Sequence, residues 1–253
     1  MKLTFLGTGT SMGVPVAGGF GANRLSSDPR NIRTRCSAWV QSGSASLLID
    51  VGPEFRIQSI RSRIKRIDGV LITHEHMDHV SGLDDLRSYN YVQKNNIPVY
   101  TSASCIKSIR SRFDYLFGAN KYAGSTSLDL LEISEEVTFK DLKITPLPCN
   151  HGDLEILGFR INNLSYLTDV KKIPPDTKKL IKGSKVIVLS GLRWEPDHPT
   201  HLTIPEAVDI INELEISRGF LIHMNSFVDH EASNHKLPGH IQLAFDQQVI
   251  NID

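Results

Sequence analysis

The sequence predicts an α/β fold in layers, with sheet inside and helices outside. Three observations carry this. Short aliphatic runs alternate with segments of helical period. Strands dominate the first part of each half of the chain, and helices follow them. No Pro/Ser-rich linker or low-complexity stretch divides the 253 residues. A single domain over 1–253 is therefore expected, because α/β folds of about 250 residues often form one unit.

Taken in order, residues 2–6 alternate and stop at Gly7-Thr-Gly, a strand entering a turn. Residues 11–35 are rich in Gly, Ser, Asn and Arg and lack a period. Loops of that length in a compact domain are often functional. Residues 36–40 and 46–50 read as a hairpin across Gln41-Ser-Gly-Ser44. Pro53 opens a helix, with Ile57, Ile60 and Ile64 at helical spacing. Residues 69–73 form a short buried strand, 84–90 a helix, 99–101 a strand and 104–113 a helix. Strands follow at 130–133, 137–139, 142–145, 156–161 and 164–168. The alternation then resumes with helix 178–182, strand 186–189, helix 204–215 and strand 220–223. Residues 241–245 and 249–250 close the chain.

Lys plus Arg equals Asp plus Glu at 28 each, so the formal net charge is zero. Proteins that live on long nucleic acid usually carry a basic excess, so a small substrate is expected. Arg30, Arg33, Arg35, Arg61, Arg63, Lys65 and Arg66 still leave room for a local basic patch. Cys36, Cys105 and Cys149 are odd in number, far apart and outside any CxxC. That pattern argues against a disulfide framework and for a reducing compartment. No apolar run approaches the roughly 20 residues of a membrane span. The first ten residues are too short and glycine-rich for a signal peptide. A cytoplasmic protein with no membrane partner is expected, and an isologous homodimer is the default oligomer.

The strongest signal is Thr73-His-Glu-His-Met-Asp-His79, just after a buried strand. Imidazole and carboxylate are ligands for zinc, manganese or iron. His74 and His76 lie two apart, so an extended segment points both to one side. Adjacent Asp78 and His79 turn toward a neighbouring point. One loop can thus serve two metal ions, which in two-metal sites sit about 3.5–4 Å apart. A solvated loop could hold such residues by chance, but only ten histidines are spread over the chain. His151, Asp169 and His223 each follow an apolar strand and suit a shared site at the strand ends.

The motif resembles the HxHxDH signature of the metallo-β-lactamase superfamily, and His151, Asp169 and His223 match that family's later ligands in order and spacing. The resemblance covers nearly the whole chain. It is nearest to the phosphoribosyl 1,2-cyclic phosphate phosphodiesterase branch, through Gly7-Thr-Gly, Gly13-Val-Pro15, Asp28-Pro-Arg-Asn31, Leu48-Ile-Asp50, Gly82-Leu-Asp-Asp-Leu-Arg87, His198-Pro-Thr-His-Leu-Thr203 and Leu237-Pro238. It implies a four-layer αβ/βα sandwich and two divalent metal ions, Zn or Mn or Fe. His74, His76 and His151 would hold one ion, Asp78, His79 and His223 the other, and Asp169 would bridge them. A metal-bridging hydroxide would be the nucleophile on a small phosphodiester. His201 matches the family's general-acid position, although Thr200 or Thr203 next to it also suits a helix cap.

Many relatives also bind a structural zinc through three cysteines in the early loop and a late histidine. Here Gly19, Gly21 and Arg24 stand at the cysteine positions and Ser226 at the histidine position. A third, structural zinc is therefore expected to be absent. Asp50 fits either the orientation of a ligating histidine or a turn before Gly52. Arg33, Arg87 and His198 are candidate phosphate contacts, while surface ion pairs suit the two arginines equally. Cys149 reads as a small buried residue, and Asp229 and His230 as capping or structural. Two other hydrolytic classes compete. A tRNA 3′-processing nuclease would need a long Gly-rich or basic insertion, which the sequence lacks. A thioester or lactone hydrolase would not need His201.

Overall fold

The computed structural model describes residues 1–21, 26–118 and 124–253. The chain builds one sheet after the other. The first half gives β1 Lys2–Gly7, β2 Ser37–Gln41, β3 Ser46–Ile49, β4 Gly69–Leu71, β5 Ile97–Thr101 and β6 Leu128–Glu132. The second half gives β7 Val137–Phe139, β8 Leu142–His151, β9 Leu154–Ile161, β10 Leu164–Leu167, β11 Val186–Ser190, β12 Arg218–Ile222 and β13 Ile241–Leu243. Strand β14, Val249–Asn251, returns to pair with β1. The sheet orders are β14-β1-β2-β3-β4-β5-β6 and β13-β12-β11-β10-β9-β8-β7. In these orders the first sheet runs through three antiparallel pairings and then three parallel ones, and the second through three parallel and then three antiparallel.

Alternation along the strands sorts side chains into layers. Leu47 and Ile49 of β3 face the other sheet, where they meet Val186 and Val188 of β11 in one buried cluster. Leu48 faces outward under the helices α1 Phe55–Arg61, α2 Met77–Val80, α4 Ala103–Arg112 and α5 Asp114–Phe117. On the far side Ile187 and Leu189 face α6 Pro175–Ile181 and α7 Ile204–Glu213. Helix α3, Arg87–Gln93, buries none of its own residues, and α8, His230–Asn234, follows β12. The result is the four-layer αβ/βα sandwich that the sequence led us to expect. All three cysteines are buried free thiols. Among the described residues, no helix is long and apolar enough to cross a membrane.

Two elements differ from the sequence reading. The helix after Pro53 begins only at Phe55, and its buried face is Phe55, Gln58 and Ser59. Ile57 and Ile60 are exposed, and only Ile64, past the helix end, is buried. The reason is polar: the Gln58 amide donates to Thr34 Oγ1 and to the Arg35 carbonyl, which turns that face inward. Strand β8 runs on through Pro146 and Pro148 to His151. It pairs with β7 only over residues 142–144, and beyond them its outer edge meets no further strand but takes a bond from Thr177 Oγ1 at the Pro148 carbonyl and an isolated bridge from Asn150 to Lys172. Proline lacks an N–H to donate and is tolerated on such an edge.

The rings of Phe5 and Phe220 join the two sheets with centroids 5.6 Å apart. Phe220→Ala is expected to lower stability by about 3–5 kcal/mol. Denaturant unfolding at fixed metal concentration measures this, and a loss below about 1 kcal/mol would show that the layer tolerates a void there.

Candidate metal centre

The parallel strands of both sheets end at one edge of the sandwich, as ligand sites of α/β folds usually require. Asp50 follows β3, and His74 stands three residues past β4. His76 is the N-cap of α2, which carries Asp78 and His79. His151 ends β8, Asp169 lies two residues past β10, and His223 follows β12 directly. Asp50, Asp169 and His223 have φ of 59°, 57° and 64°, in the left-handed region that side chains rarely adopt. Such strain costs about 1–3 kcal/mol per residue and tends to collect at functional sites. Gly52 lets α2 approach: a Cβ there would stand 2.2 Å from the Asp78 carbonyl oxygen.

Asp78, His79, Asp169 and His223 converge, with one potential ligand atom from each lying within 4.8 Å of the others. His79 Nε2 is 3.2 Å from Asp78 Oδ2 and 3.4 Å from Asp169 Oδ1. His223 Nε2 is 3.2 Å from Asp169 Oδ2. Yet His79 Nε2 and both ring nitrogens of His223 are buried without an aligned hydrogen bond. Buried nitrogens with no hydrogen-bond partner, facing carboxylates, are the donor set of a divalent cation, and a metal fits here. The second triad within the same limit is His151, Asp169 and His201. His74 Nε2 and His76 Nδ1 lie 3.0 Å apart, and their rings sit 5.8 Å and 5.3 Å from that of His151. His201, not only His74 and His76, therefore borders the second position.

Hydrogen bonds orient the imidazoles of His151, His79 and His74, the last through the Thr73 hydroxyl 2.9 Å from its Nδ1. His151 Nδ1 lies 2.8 Å from the Thr200 carbonyl, which can only accept, so Nδ1 carries the proton and Nε2 is free to ligate. His79 Nδ1 lies 2.7 Å from Asp50 Oδ2. Asp50 is held in turn by the Thr73 N–H at 2.8 Å and the Thr73 hydroxyl at 2.9 Å. Thr168 Oγ1 donates to Asp169 Oδ1 at 2.7 Å. These threonines were not singled out as partners from sequence, although each directly precedes a ligand-type residue. Burial disfavours a charged His79, but Asp169 and Asp50 outweigh it and hold the imidazole well above its usual range. Burial would likewise raise Asp169, but His223 and His79 hold it well below the usual carboxylate range. Asp78 is brought down to about 2, because the His79 contacts overcome its burial. Burial pushes His74 well down, with the His79 charge adding to it.

The other candidates divide. His201 is half-buried and its ring stacks on His223 at 4.8 Å. Burial, then His223, pushes its imidazole down to about 3. His198 lies 5.0 Å from His201, ring to ring. Thr203 caps α7 in a reciprocal capping box with Glu206, so the cap and His201 coexist. Arg33 is a correction. It is 2% exposed, and its guanidinium donates to Thr8 Oγ1 and the Ala244 carbonyl and meets His230 Nδ1. Its hydrogen bonds tie the early loop to the last strands and leave it enclosed away from solvent. Arg87 is exposed in a cavity of about 710 Å³ with Tyr91, Lys94 and Ser125, and no histidine of the cluster lines that cavity. Cys149 is fully buried, and its thiol is pushed up to about 12. Asp229 caps α8 and accepts from Asn31. At the early loop, Gly21 packs on Ser226: a Cβ at Gly21 would stand 2.1 Å from Ser226 Oγ. Gly21 also has φ 101°, so neither space nor backbone suits a larger residue. Arg24 lies outside the described residues.

Fold and site together define a domain of the metallo-β-lactamase fold with a His/Asp cluster at the strand ends. The chain belongs to the β-lactamase superfamily, whose domain matches residues 46–224. A solved structure described as a new diphosphatase from the PhnP family superposes with a TM-score of 0.92 at 34% identity, covering 100% of this chain and 98% of that one. The likeness includes the PhnP-like branch of the superfamily. An octanoyltransferase from Porphyromonas gingivalis is 37% identical over 257 residues, all of this chain but 52% of that protein. A ribonuclease Z from Bacillus subtilis is 30% identical over 206 residues, 76% of this chain and 61% of the relative. The chain thus spans between half and two thirds of these two curated relatives.

A proton on His79 must leave when a cation takes Nε2, because a metal needs the free lone pair. Adding zinc or manganese to metal-free protein in weak buffer should therefore acidify the solution by about one proton per chain beyond the ligand-free blank. Asp50→Asn should lessen that release, since it removes a charge that holds the proton. A pH-indicator titration reads both, and metal uptake without acidification would contradict the assignment. Gly52→Ala is expected to displace Asp78 and lower metal content more than it lowers the melting temperature of the metal-free protein. Retention of full metal content by that variant would refute the packing argument.

Proposed function

We propose that the chain is a two-metal phosphodiesterase acting on a small cyclic or nucleotide-like phosphodiester. The observation that carries this reading is the convergence of Asp78, His79, Asp169 and His223 beside the His151, Asp169 and His201 triad. In this reading His74, His76 and His151 hold one cation, Asp78, His79 and His223 hold the other, and Asp169 lies between them. Zinc, manganese and iron all suit His/Asp donors. Bound cations would supply an activated water and neutralise the phosphoryl oxygens. Asp50 keeps the His79 ring turned so that Nε2 faces the site. His201 donates a proton to the leaving oxygen. Its imidazole is neutral in the free protein, and an anionic substrate beside it opposes the effect of burial. His198 reaches a non-bridging phosphate oxygen. The zero net charge supports a small substrate over long nucleic acid. The likeness to a PhnP-family diphosphatase supports chemistry at phosphorus. The buried inter-sheet cluster supports one domain over 1–253, and three free thiols support a reducing, cytoplasmic setting.

A second reading follows from the relative named octanoyltransferase, which matches this whole chain. It is hydrolysis of an acyl thioester at the same centre. One experiment separates the two. Metal-free protein reloaded with manganese or zinc is assayed with bis(p-nitrophenyl) phosphate and, in parallel, with an octanoyl thioester. Metal-dependent turnover of the phosphodiester alone is expected, and Asp78→Ala should abolish it. His201→Ala should lower turnover by about a hundredfold or more for poor alkoxide leaving groups. The loss should be smaller for p-nitrophenolate, which leaves without a proton. Equal losses on both substrates, together with loss of metal, would make His201 a ligand instead. Turnover of the thioester alone would establish the second reading.

A further inference from the structure

We infer that Lys171 is a positioning residue for His201: its ammonium clasps both sides of the segment that carries His198 and His201 and so sets where the His201 ring stands against the His/Asp cluster. The inference rests on the phosphodiesterase reading, which makes His201 the acid. Lys171 Nζ reaches Asp197 Oδ1 at 2.6 Å and Glu206 Oε1 at 2.8 Å. The same Asp197 oxygen accepts from the His198 N–H at 2.7 Å. The other Glu206 oxygen accepts from the Thr203 N–H at 2.7 Å and the Thr203 hydroxyl at 2.9 Å. One ammonium thus holds residues 197–198 through one carboxylate and residue 203 through the other, with His201 between them. Arg193 tightens the first side, donating to the Pro196 carbonyl at 2.8 Å and the Asp197 carbonyl at 3.1 Å. Val170, next to Lys171, accepts from the Leu202 N–H at 2.8 Å. His201 Nδ1 is buried without a hydrogen-bond partner, so no bond at that atom fixes the ring, and its place follows from the backbone on either side. The clasp adds little to folding. The Asp197 side chain is 73% exposed and that of Glu206 39%, and ion pairs so open to water are mostly offset by solvation. Both carboxylates keep a backbone partner without Lys171, so its removal leaves no bare buried charge. Position is where such a clasp matters, since a misplacement of about 1 Å can cost roughly a hundredfold in rate.

The test compares zinc-loaded protein with Lys171→Met by two readouts. The first is amide hydrogen exchange, which needs no turnover. The His198 and Thr203 amides are expected to exchange about tenfold faster in the variant, while those of β10 and β12 stay unchanged. Lys171→Arg, which keeps the charge, should restore most of the protection. The second readout is hydrolysis of adenosine 2′,3′-cyclic phosphate, whose leaving group is a ribose alkoxide, beside bis(p-nitrophenyl) phosphate. Lys171→Met should lower kcat on the cyclic ester by about tenfold and on the p-nitrophenyl ester by less than about twofold, because p-nitrophenolate leaves without a proton. In a His201→Ala background the same substitution should cost nothing further. Equal losses on the two esters, or the same loss with and without His201, would overturn the positioning role. Unchanged exchange at His198 and Thr203 would overturn the clasp itself. Turnover of neither ester by the unmodified protein would overturn the phosphodiesterase reading and with it the positioning of an acid, and the exchange rates would then decide the clasp alone.

Discussion

Three carboxylates, Asp50, Asp78 and Asp169, crowd around His79 with little or no access to water, and the rest of the fold answers to that concentration of charge. Buried like charges are tolerated only when a cation balances them. The basic groups that face these carboxylates within the chain are imidazoles, His79 against all three and His223 against Asp169. Two imidazoles cannot offset three carboxylates at such distances. The site is therefore built for more positive charge than the chain itself supplies. That imbalance, more than any single contact, makes a metal centre the physically consistent reading.

The sheets supply the rigidity that such a centre needs. Each ligand-type residue is fixed at a strand end or in the short helix α2, and three of those ends turn with a left-handed residue. Left-handed Asp50, Asp169 and His223 are tolerable because the parallel strands before them are hydrogen-bonded on both sides and buried on both faces. The bare backbone of Gly52 brings α2 down onto the turn after β3. Strain and close approach are thus concentrated at one edge, and the two sheets and their helices offset the cost elsewhere.

The part of this that was legible in the sequence is the part that depends on residue type and period. The His74–His79 run and the strand-end positions of His151, Asp169 and His223 announced the centre. The short aliphatic runs alternating with segments of helical period announced the layers. What was not legible depends on partners far away in sequence. Arg33 looked like a phosphate ligand because arginine suits phosphate, but Thr8, Ala244 and His230 enclose it. The burial of Gln58 in place of Ile57 and Ile60 follows from Thr34 and Arg35, 24 and 23 residues away. The approach of His201 to His151 and Asp169 comes from a loop that no periodicity describes. Left-handed φ at aspartate and histidine has no local signature at all.

Specificity and catalysis are carried by different parts of this chain. Of the converging residues, Asp169 and His223 follow strand ends, where a shift of one residue would flip a side chain to the other face of the sheet, and Asp78 and His79 lie in α2. The early loop, the 193–201 segment with His198 and His201, and the 224–227 segment sit outside the named strands, anchored at buried residues such as Arg33 and Met224, and their exposed positions can vary without disturbing the sheets. Proteins named for different activities can therefore resemble this chain over the same scaffold. The shared scaffold fixes the cluster of Asp78, His79, Asp169 and His223. At Gly21 the early loop lies against Ser226, where a Cβ would stand 2.1 Å from Ser226 Oγ. The approach of the early loop to the segment after β12 thus depends on the absence of one Cβ.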